Sequence, residues 1–304
     1  AIKQVQSELG PFHISSDIGC HSFATLPPFN LGNTIMGYGL SLASSSGIRH
    51  SLPHKSISIM GDGGFWHNGL TSGVTSAVFN GHDGVLIIVD NGYSAATGGQ
   101  DIPSLVEPNV IASTIDSDGP TRTHYQSIED ACRGAGVKWI RTVSTYSVDT
   151  VKDVLSEALV SDMPGLKVIV AEGECMLNRQ RRVKPLMKQS INAGKRTVRA
   201  RFMVDEETCT GDHACIRISG CPSLTIKDNP DPLRKDPVSY VDNSCVGCGV
   251  CGSNAHAAIL CPSFSRVDLI YNPSRTDRAL ARIRGGVIGW LQSRAQRREE
   301  MQVL

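Results

Sequence analysis

The first 178 residues alternate short apolar runs with longer mixed stretches. "KSISIM" (55–60) and "GVLIIVD" (84–90) are rich in aliphatic and β-branched side chains, as strands buried on both faces are. "VKWIRTV" (137–143) and "LKVIVAEG" (166–173) repeat the pattern. A helical stretch begins near Trp66 between the first two runs, and "SVDTVKDVLSEALVS" (147–161) reads as a helix between the second two. Strand, helix, strand at these lengths calls for right-handed crossovers. The expected fold class is α/β, an open mostly parallel sheet with helices on both faces over residues 1–178.

The pattern then breaks. Residues 178–201, "NRQRRVKPLMKQSINAGKRTVRAR", are basic with no acidic side chain. They read as a solvated linker over 179–203, or as a groove for an acidic partner. Residues 204–270 are the cysteine-rich segment, expected as a small α+β ferredoxin-like domain. In the basic tail, 271–304, Leu280, Ile283, Val287, Trp290 and Leu291 fall roughly on one helical face. That tail reads as a docking helix against another subunit, although Gly285 and Gly286 count against a helix.

Composition narrows the class. The 304 residues are 40% hydrophobic and 19% charged, enough apolar material for a real core. Thirty basic residues against 29 acidic ones give no reason to expect nucleic acid as the main partner. No apolar run is long enough to span a bilayer, and "AIKQVQSELG" lacks the apolar stretch of a signal peptide. A cytoplasmic location is expected. The chain opens without Met, as a fragment or a processed product would. Most of its ten cysteines crowd into 209–261, which favours metal chemistry in a reducing compartment over a disulfide scaffold.

"MGDGGFWHNGL" (60–70) follows a strand and leads into a helix. Gly61, Gly63 and Gly64 let the backbone pass close to a ligand, and the start of a helix offers unpaired N–H groups to phosphate. Asp62 adds a carboxylate for a magnesium ion. "VDNGYSAATGGQ" ends the next strand and places Asn91 29 positions after Asp62. Adjacent parallel strands bring both loops together at their carboxyl ends. An aspartate oxygen, an asparagine oxygen, a backbone carbonyl and two phosphate oxygens nearly fill an octahedral shell. This spacing resembles the diphosphate-binding motif of thiamine diphosphate enzymes. The resemblance implies Asp62, Asn91 and the Tyr93 carbonyl as Mg2+ ligands, and Met36 in "GNTIMGYGLSLASS" as the apolar prop beneath the thiazolium ring, or else an ordinary core Met. Thr97 and Gln100 are candidates to touch substrate or cofactor. His67, Cys20 and His21 are candidate catalytic residues, with capping or packing as the plainer reading of His67.

"CVGCGVCGSNAHAAILCP" supplies Cys245, Cys248 and Cys251 at two-residue spacing, then Cys261 before a proline. "CTGDHACIRISGCP" supplies Cys209, Cys215 and Cys221, with Asp212 in the register of a missing cysteine. In two-cluster ferredoxins the cysteine before proline ligates the other cluster. That likeness implies Cys245, Cys248, Cys251 and Cys221 around one 4Fe–4S cluster, and Cys209, Cys215 and Cys261 around a second, with Asp212 facing its fourth iron. A carboxylate is a harder partner for iron than a thiolate, so the second cluster is expected as 4Fe–4S with Asp or water on one corner, or as 3Fe–4S. Zinc is the rival occupant of such cysteines. The spacers before Cys221 and Cys261 exceed the common three residues, which leaves the crossed pairing open. His213 and His256 flank the clusters and are candidates to tune them. Cys132 and Cys175 read as ordinary buried thiols.

The order thiamine motif, "DN…TGGQ", basic segment, cysteine-rich module resembles the alpha subunit of indolepyruvate ferredoxin oxidoreductase, as do "DIGC" (17–20) and "LPPFNLGNT" (26–34). The likeness covers roughly residues 10 to 265 and corresponds to the C-terminal part of that subunit. It implies oxidative decarboxylation of an arylpyruvate with coenzyme A, giving an acyl-CoA, CO2 and reduced ferredoxin, with electrons leaving through the clusters. It also implies two partners: a polypeptide or N-terminal part carrying the aminopyrimidine-binding domain, and a gamma-type (beta) subunit. The alternatives are pyruvate, 2-oxoglutarate or branched-chain substrates within the same superfamily, or an electron-transfer subunit with a vestigial thiamine fold.

Overall fold

The computed structural model describes residues 1–27, 29–105, 125–219, 221, 223–249, 251 and 261–303. The chain divides into two compact units, Ala1–Cys175 and Met176–Leu304.

The first unit is built on six strands: β1 Ile14–Ser16, β2 Thr34–Ile35, β3 Ile57–Gly61, β4 Val85–Asp90, β5 Trp139–Ser144 and β6 Lys167–Glu172. Their order is β2-β1-β3-β4-β6-β5, and every pairing is parallel. Side-chain alternation explains why the sheet is covered twice. Leu86 and Ile88 of β4, with Val168 and Val170 of β6, enter one core with Leu42, Phe65 and Cys132. Val85, Ile87, Ile169 and Ala171 enter the other, with Val5, Leu155 and Ala158. The first core therefore lies under helices α2 (Ser41–Ile48) and α5 (Ile128–Gly134), and the second under α1 (Ile2–Leu9) and α6 (Val148–Val160). The four apolar runs all form strands, each within two residues of its expected limits.

The helix after β3 starts at Asp62, four residues before Trp66. It runs as α3 (Asp62–Gly64), a π-helical stretch (Phe65–Val74) and α4 (Thr75–Phe79). Cys132 is fully buried, and burial pushes its thiol up to about 12. Cys175, expected to be buried, is instead half-exposed.

In the second unit the segment expected as a linker is structured. Met176–Asn192 forms helix α7, and Thr197–Val204 forms β7, which pairs antiparallel with β10, Phe264–Tyr271. α7 buries none of its residues, so the basic run carries no apolar stripe to mark a helix. A second antiparallel pair joins β8 (Leu224–Lys227) to β9 (Val238–Val241), and α8 spans Ala214–Ser219. Phe202, Leu224, Val241 and Phe264 form a small core with the cysteines. The tail is one helix, α9 (Arg275–Val303), which runs straight through Gly285 and Gly286. Leu280, Ile283, Val287, Trp290 and Leu291 are all more than half exposed on it. Among the described residues, no helix is long and apolar enough to cross a membrane.

Candidate functional site

The chain leaves β1 toward β2 on one side, then continues through β3 and β4 on the other. At such a reversal an open parallel sheet leaves a crevice beyond its strand ends, the usual place for a ligand. β1 leads into Asp17 there, β3 into Asp62, and β4 into Asn91.

Asp62 is 2% exposed. Its Oδ1 accepts the N–H of Gly63 at 2.7 Å, and its Oδ2 accepts those of Asn91 at 2.8 Å and Gly92 at 2.7 Å. The two loops expected to converge are thus joined through this one carboxylate. Burial pushes the Asp62 carboxyl up, and the surrounding amides pull it back. Asn91 Oδ1 accepts the Tyr93 N–H at 3.0 Å, and the Tyr93 carbonyl accepts from Ala95 N–H at 3.0 Å. Asp90 adds a carboxyl that sequence reading passed over. Burial first, then the charges of Asp62 and Glu172, push it up to about 7. Carboxyl groups crowded into a buried strand-end crevice, beside amide and carbonyl oxygens, are the donor set that suits a hard divalent cation.

The glycines answer to the protein as well as to a ligand. A Cβ on Gly63 would run into Tyr38 Oη and Ser94 Oγ, and one on Gly64 into Asp17 Oδ2. Tyr38 Oη, Ser94 Oγ and Thr97 Oγ1 form a string, each link 2.7 Å, against the turn. Tyr38 and Ser94 were not legible as site residues, because only the fold joins segments 56 positions apart. Asp17 is fully buried; its Oδ1 accepts Ile18 N–H at 2.6 Å, and burial pushes it up to about 6 against the pull of the Gly39 and Ile18 amides. It lies within "DIGC", but nothing in that string marks the Asp as buried.

Of the other candidates, His21 has a buried Nε2 without a hydrogen-bond partner among the described residues, and burial holds its ring down to about 4, neutral at physiological pH. Cys20 is exposed. His67 is exposed with its ring 5.3 Å from that of Tyr38, so it stands at the rim. Met36 is 70% exposed on the loop after β2, outside the core. Gln100 is exposed and bridges to Ser94, which keeps it with the same loop. Buried Asp62 and Asp17 and half-buried Tyr38, around an open strand-end crevice, therefore collect most, but not all, of these residues.

The second unit groups its cysteines in two sets. A cavity of about 100 Å³ is lined by Cys209, Asp212, Cys215 and Cys261, with Ser239 and Ser263 among its other walls. Ser239 Oγ lies 3.3 Å from Cys215 Sγ, and Ser263 Oγ 3.0 Å from Cys261 Sγ. Burial pushes the Cys215 thiol up, with Cys261 and Cys209 adding to the push. Burial also pushes up Cys221, whose neighbours are Cys248 and Cys245. Cys251 is 6% exposed in the same core as Cys245. Each set draws one cysteine from the opposite motif. Asp212 Oδ1 accepts Ala214 N–H at 3.2 Å at the start of α8, so its carboxyl both caps that helix and lines the cavity. The His213 ring is 2.9 Å from the Pro237 carbonyl, and His256 lies outside the described residues. One guanidinium serves each set: Arg234 bonds the Cys209 carbonyl at 2.6 Å, and Arg199 bonds that of Cys245. Among the described residues no three His, Cys, Asp or Glu side chains converge on a single-ion position.

Residues 17–171 match the thiamine pyrophosphate enzymes, C-terminal TPP binding domain. Indolepyruvate oxidoreductase subunit IorA of Archaeoglobus fulgidus is 31% identical over 265 residues, 86% of this chain and 36% of that protein. The same subunit of Methanothermobacter thermautotrophicus is 28% identical over 78% of this chain and 33% of that protein. The chain thus spans about a third of the length of these curated relatives. Among solved structures, the 2-oxoglutarate:ferredoxin oxidoreductase from Magnetococcus marinus aligns at a TM-score of 0.47 and 18% identity, covering 58% of this chain and 60% of that one. The chain belongs to the thiamine pyrophosphate enzymes, carrying their C-terminal TPP binding domain within a sequence similar to IorA.

Proposed function

We propose that this chain is the diphosphate-binding and electron-carrying part of a thiamine diphosphate-dependent 2-oxoacid:ferredoxin oxidoreductase. Its substrate is an arylpyruvate of the indolepyruvate kind, converted with coenzyme A to an aryl-acetyl-CoA and CO2. The observation that carries the reading is the cavity lined by Cys209, Asp212, Cys215 and Cys261, in one chain with a TPP binding domain. The name of the relatives supports the substrate class.

Thiamine diphosphate supplies the carbanion chemistry by which the carboxyl carbon of a 2-oxo acid is released. The chain's residues bind and orient it. Asp62, Asn91 and the Tyr93 carbonyl ligate Mg2+ together with phosphate oxygens, and amides at the start of α3 face the diphosphate. Thr97, through Ser94 and Tyr38, fixes the turn that carries Gly63. His21 is kept neutral beside Gly61, able to donate or accept a hydrogen bond at Nε2 according to its tautomer. Cys221, Cys245, Cys248 and Cys251 hold one 4Fe–4S cluster. Cys209, Cys215 and Cys261 hold the second, with Asp212 or water at its fourth iron, or as 3Fe–4S. The aminopyrimidine end is gripped by a partner polypeptide or an N-terminal part, and a gamma-type subunit completes the assembly. Reduced ferredoxin leaves as product.

Anaerobic purification with iron and zinc counts, and EPR before and after dithionite, tests this directly. About eight irons with two interacting reduced 4Fe–4S signals is the result expected for an intact second cubane, and about seven with an oxidised 3Fe–4S signal for an open corner. Zinc without iron brings down the electron-carrying half.

A further inference from the structure

A groove of about 230 Å³ runs between α7 and the loop that carries Cys245 and Cys248. Arg179, Lys184 and Lys188 of α7 and Arg199 of β7 line it, and no acidic residue does among the described residues. Met187, Ile191, Val246 and Tyr271 give it an apolar floor. Val246 sits between Cys245 and the half-exposed Cys248. The loop is pressed onto β7: a Cβ on Gly247 would strike the Ala200 carbonyl, and Arg199 bonds the Cys245 carbonyl. The groove therefore shares its wall with one cysteine set and is remote in sequence from Asp212 and its set. Lys184 and Lys188 are exposed, one helical turn apart on one face of α7.

We propose that this groove is the docking site of an acidic one-electron carrier protein, the acceptor to which the cluster held by Cys221, Cys245, Cys248 and Cys251 passes its electrons. The inference rests on the proposed function for the identity of the carrier, while the docking itself rests on the groove. Charge selects the occupant. Lys184 and Lys188, exposed on one face of α7, steer an acidic surface, and the apolar floor gives a bound side chain somewhere to bury. A volume of about 230 Å³ is small for a free cofactor, whose pockets run from about 300 Å³ upward, but suits one or two side chains of a larger partner. In each transfer one electron leaves the reduced cluster and one oxidised carrier centre is reduced, with no bond made or broken.

The test is binding, followed without turnover. An acidic two-cluster 4Fe–4S ferredoxin is titrated into the purified full chain by calorimetry at low and moderate salt. Saturable binding that weakens steeply with salt is expected. Lys184→Glu with Lys188→Glu should weaken it at least about tenfold at low salt and flatten the salt dependence. Lys184→Gln with Lys188→Gln should give a smaller loss, with circular dichroism unchanged from the parent chain. Ferredoxin affinity unaltered in both double variants overturns the proposal, as does failure of the parent chain to bind ferredoxin at low salt. Saturable inorganic pyrophosphate binding, abolished by the same variants while ferredoxin binding persists, also overturns it and marks a small-anion site. A chain that carries no iron yet binds ferredoxin through Lys184 and Lys188 leaves the docking intact and sinks the electron-carrying reading instead.

Discussion

Asp62 concentrates the chemistry of the first unit in one side chain. Its carboxylate ties the β3 and β4 loops together and stands where Mg2+ is proposed, so Asp62→Ala should abolish Mg2+-dependent binding of thiamine diphosphate and leave the iron content unchanged. Isothermal titration beside an iron assay reads both, and retained binding would refute the ligand assignment. His82 is a different case, because it is buried away from the crevice. It is 1% exposed, neither ring nitrogen has a hydrogen-bond partner among the described residues, and burial holds it down to about 4. The folded ring resists a proton that the unfolded ring takes up near 6.5, so the unfolded state binds more protons. Stability is complete above about 6.5 and falls as the pH drops from there toward 4. His82→Leu should therefore remove a decrease in Tm of roughly 5 °C between pH 7 and pH 5; an unchanged pH profile would show that the ring does not carry it. The meeting of the Asp62 and Asn91 loops was legible from the strand order, since adjacent parallel strand ends fix where they meet, while their proposed ligand roles come from the resemblance. Asp17, Tyr38 and Asp90 were not, because their roles arise from burial and from neighbours distant in sequence.

At the scale of elements, periodicity served the strands well and the basic segment badly. Alternating burial of Leu86 and Ile87 on opposite sheet faces needs a continuous apolar run, and such runs are visible in one dimension. α7 and β7 lack that signal: α7 has no buried residue, and β7 is held by its pairing with β10 some sixty positions later. Gly247 is the element-level weak point of the cysteine module. Its φ is +70°, and a side chain there would meet the Ala200 carbonyl. Gly247→Ala should lift the loop from β7 and lose about four irons while the other cluster is kept; EPR distinguishes this from loss of both clusters or of neither. Asp212→Cys acts in the opposite sense, completing a thiolate set in the cavity beside α8. It should give a second four-iron cluster more resistant to oxygen, and unchanged spectra would place Asp212 away from the iron.

For the whole molecule the division into two units has a thermal consequence. The two sheet-face cores draw only on residues up to Ala171, and the third core lies entirely within the second unit. Calorimetry should resolve two transitions, of which only one responds to iron removal, because a polynuclear centre is folding free energy for the small core that holds it. A single transition shifted as a whole by chelation would show the units to be one cooperative structure.

The crossed cysteine sets also dictate a calendar. Cys221 belongs with Cys245 and Cys248, and Cys261 with Cys209 and Cys215, so one set is not whole until Cys251 is made and the other not until Cys261, the last cysteine of the segment. A ribosome emitting this chain exposes the diphosphate turn long before either metal pocket can close. The crevice can mature during synthesis, whereas the proposed clusters would load only late, and the one that takes Cys261 would fasten both ends of the cysteine-rich segment together, like a clasp shut by its final link.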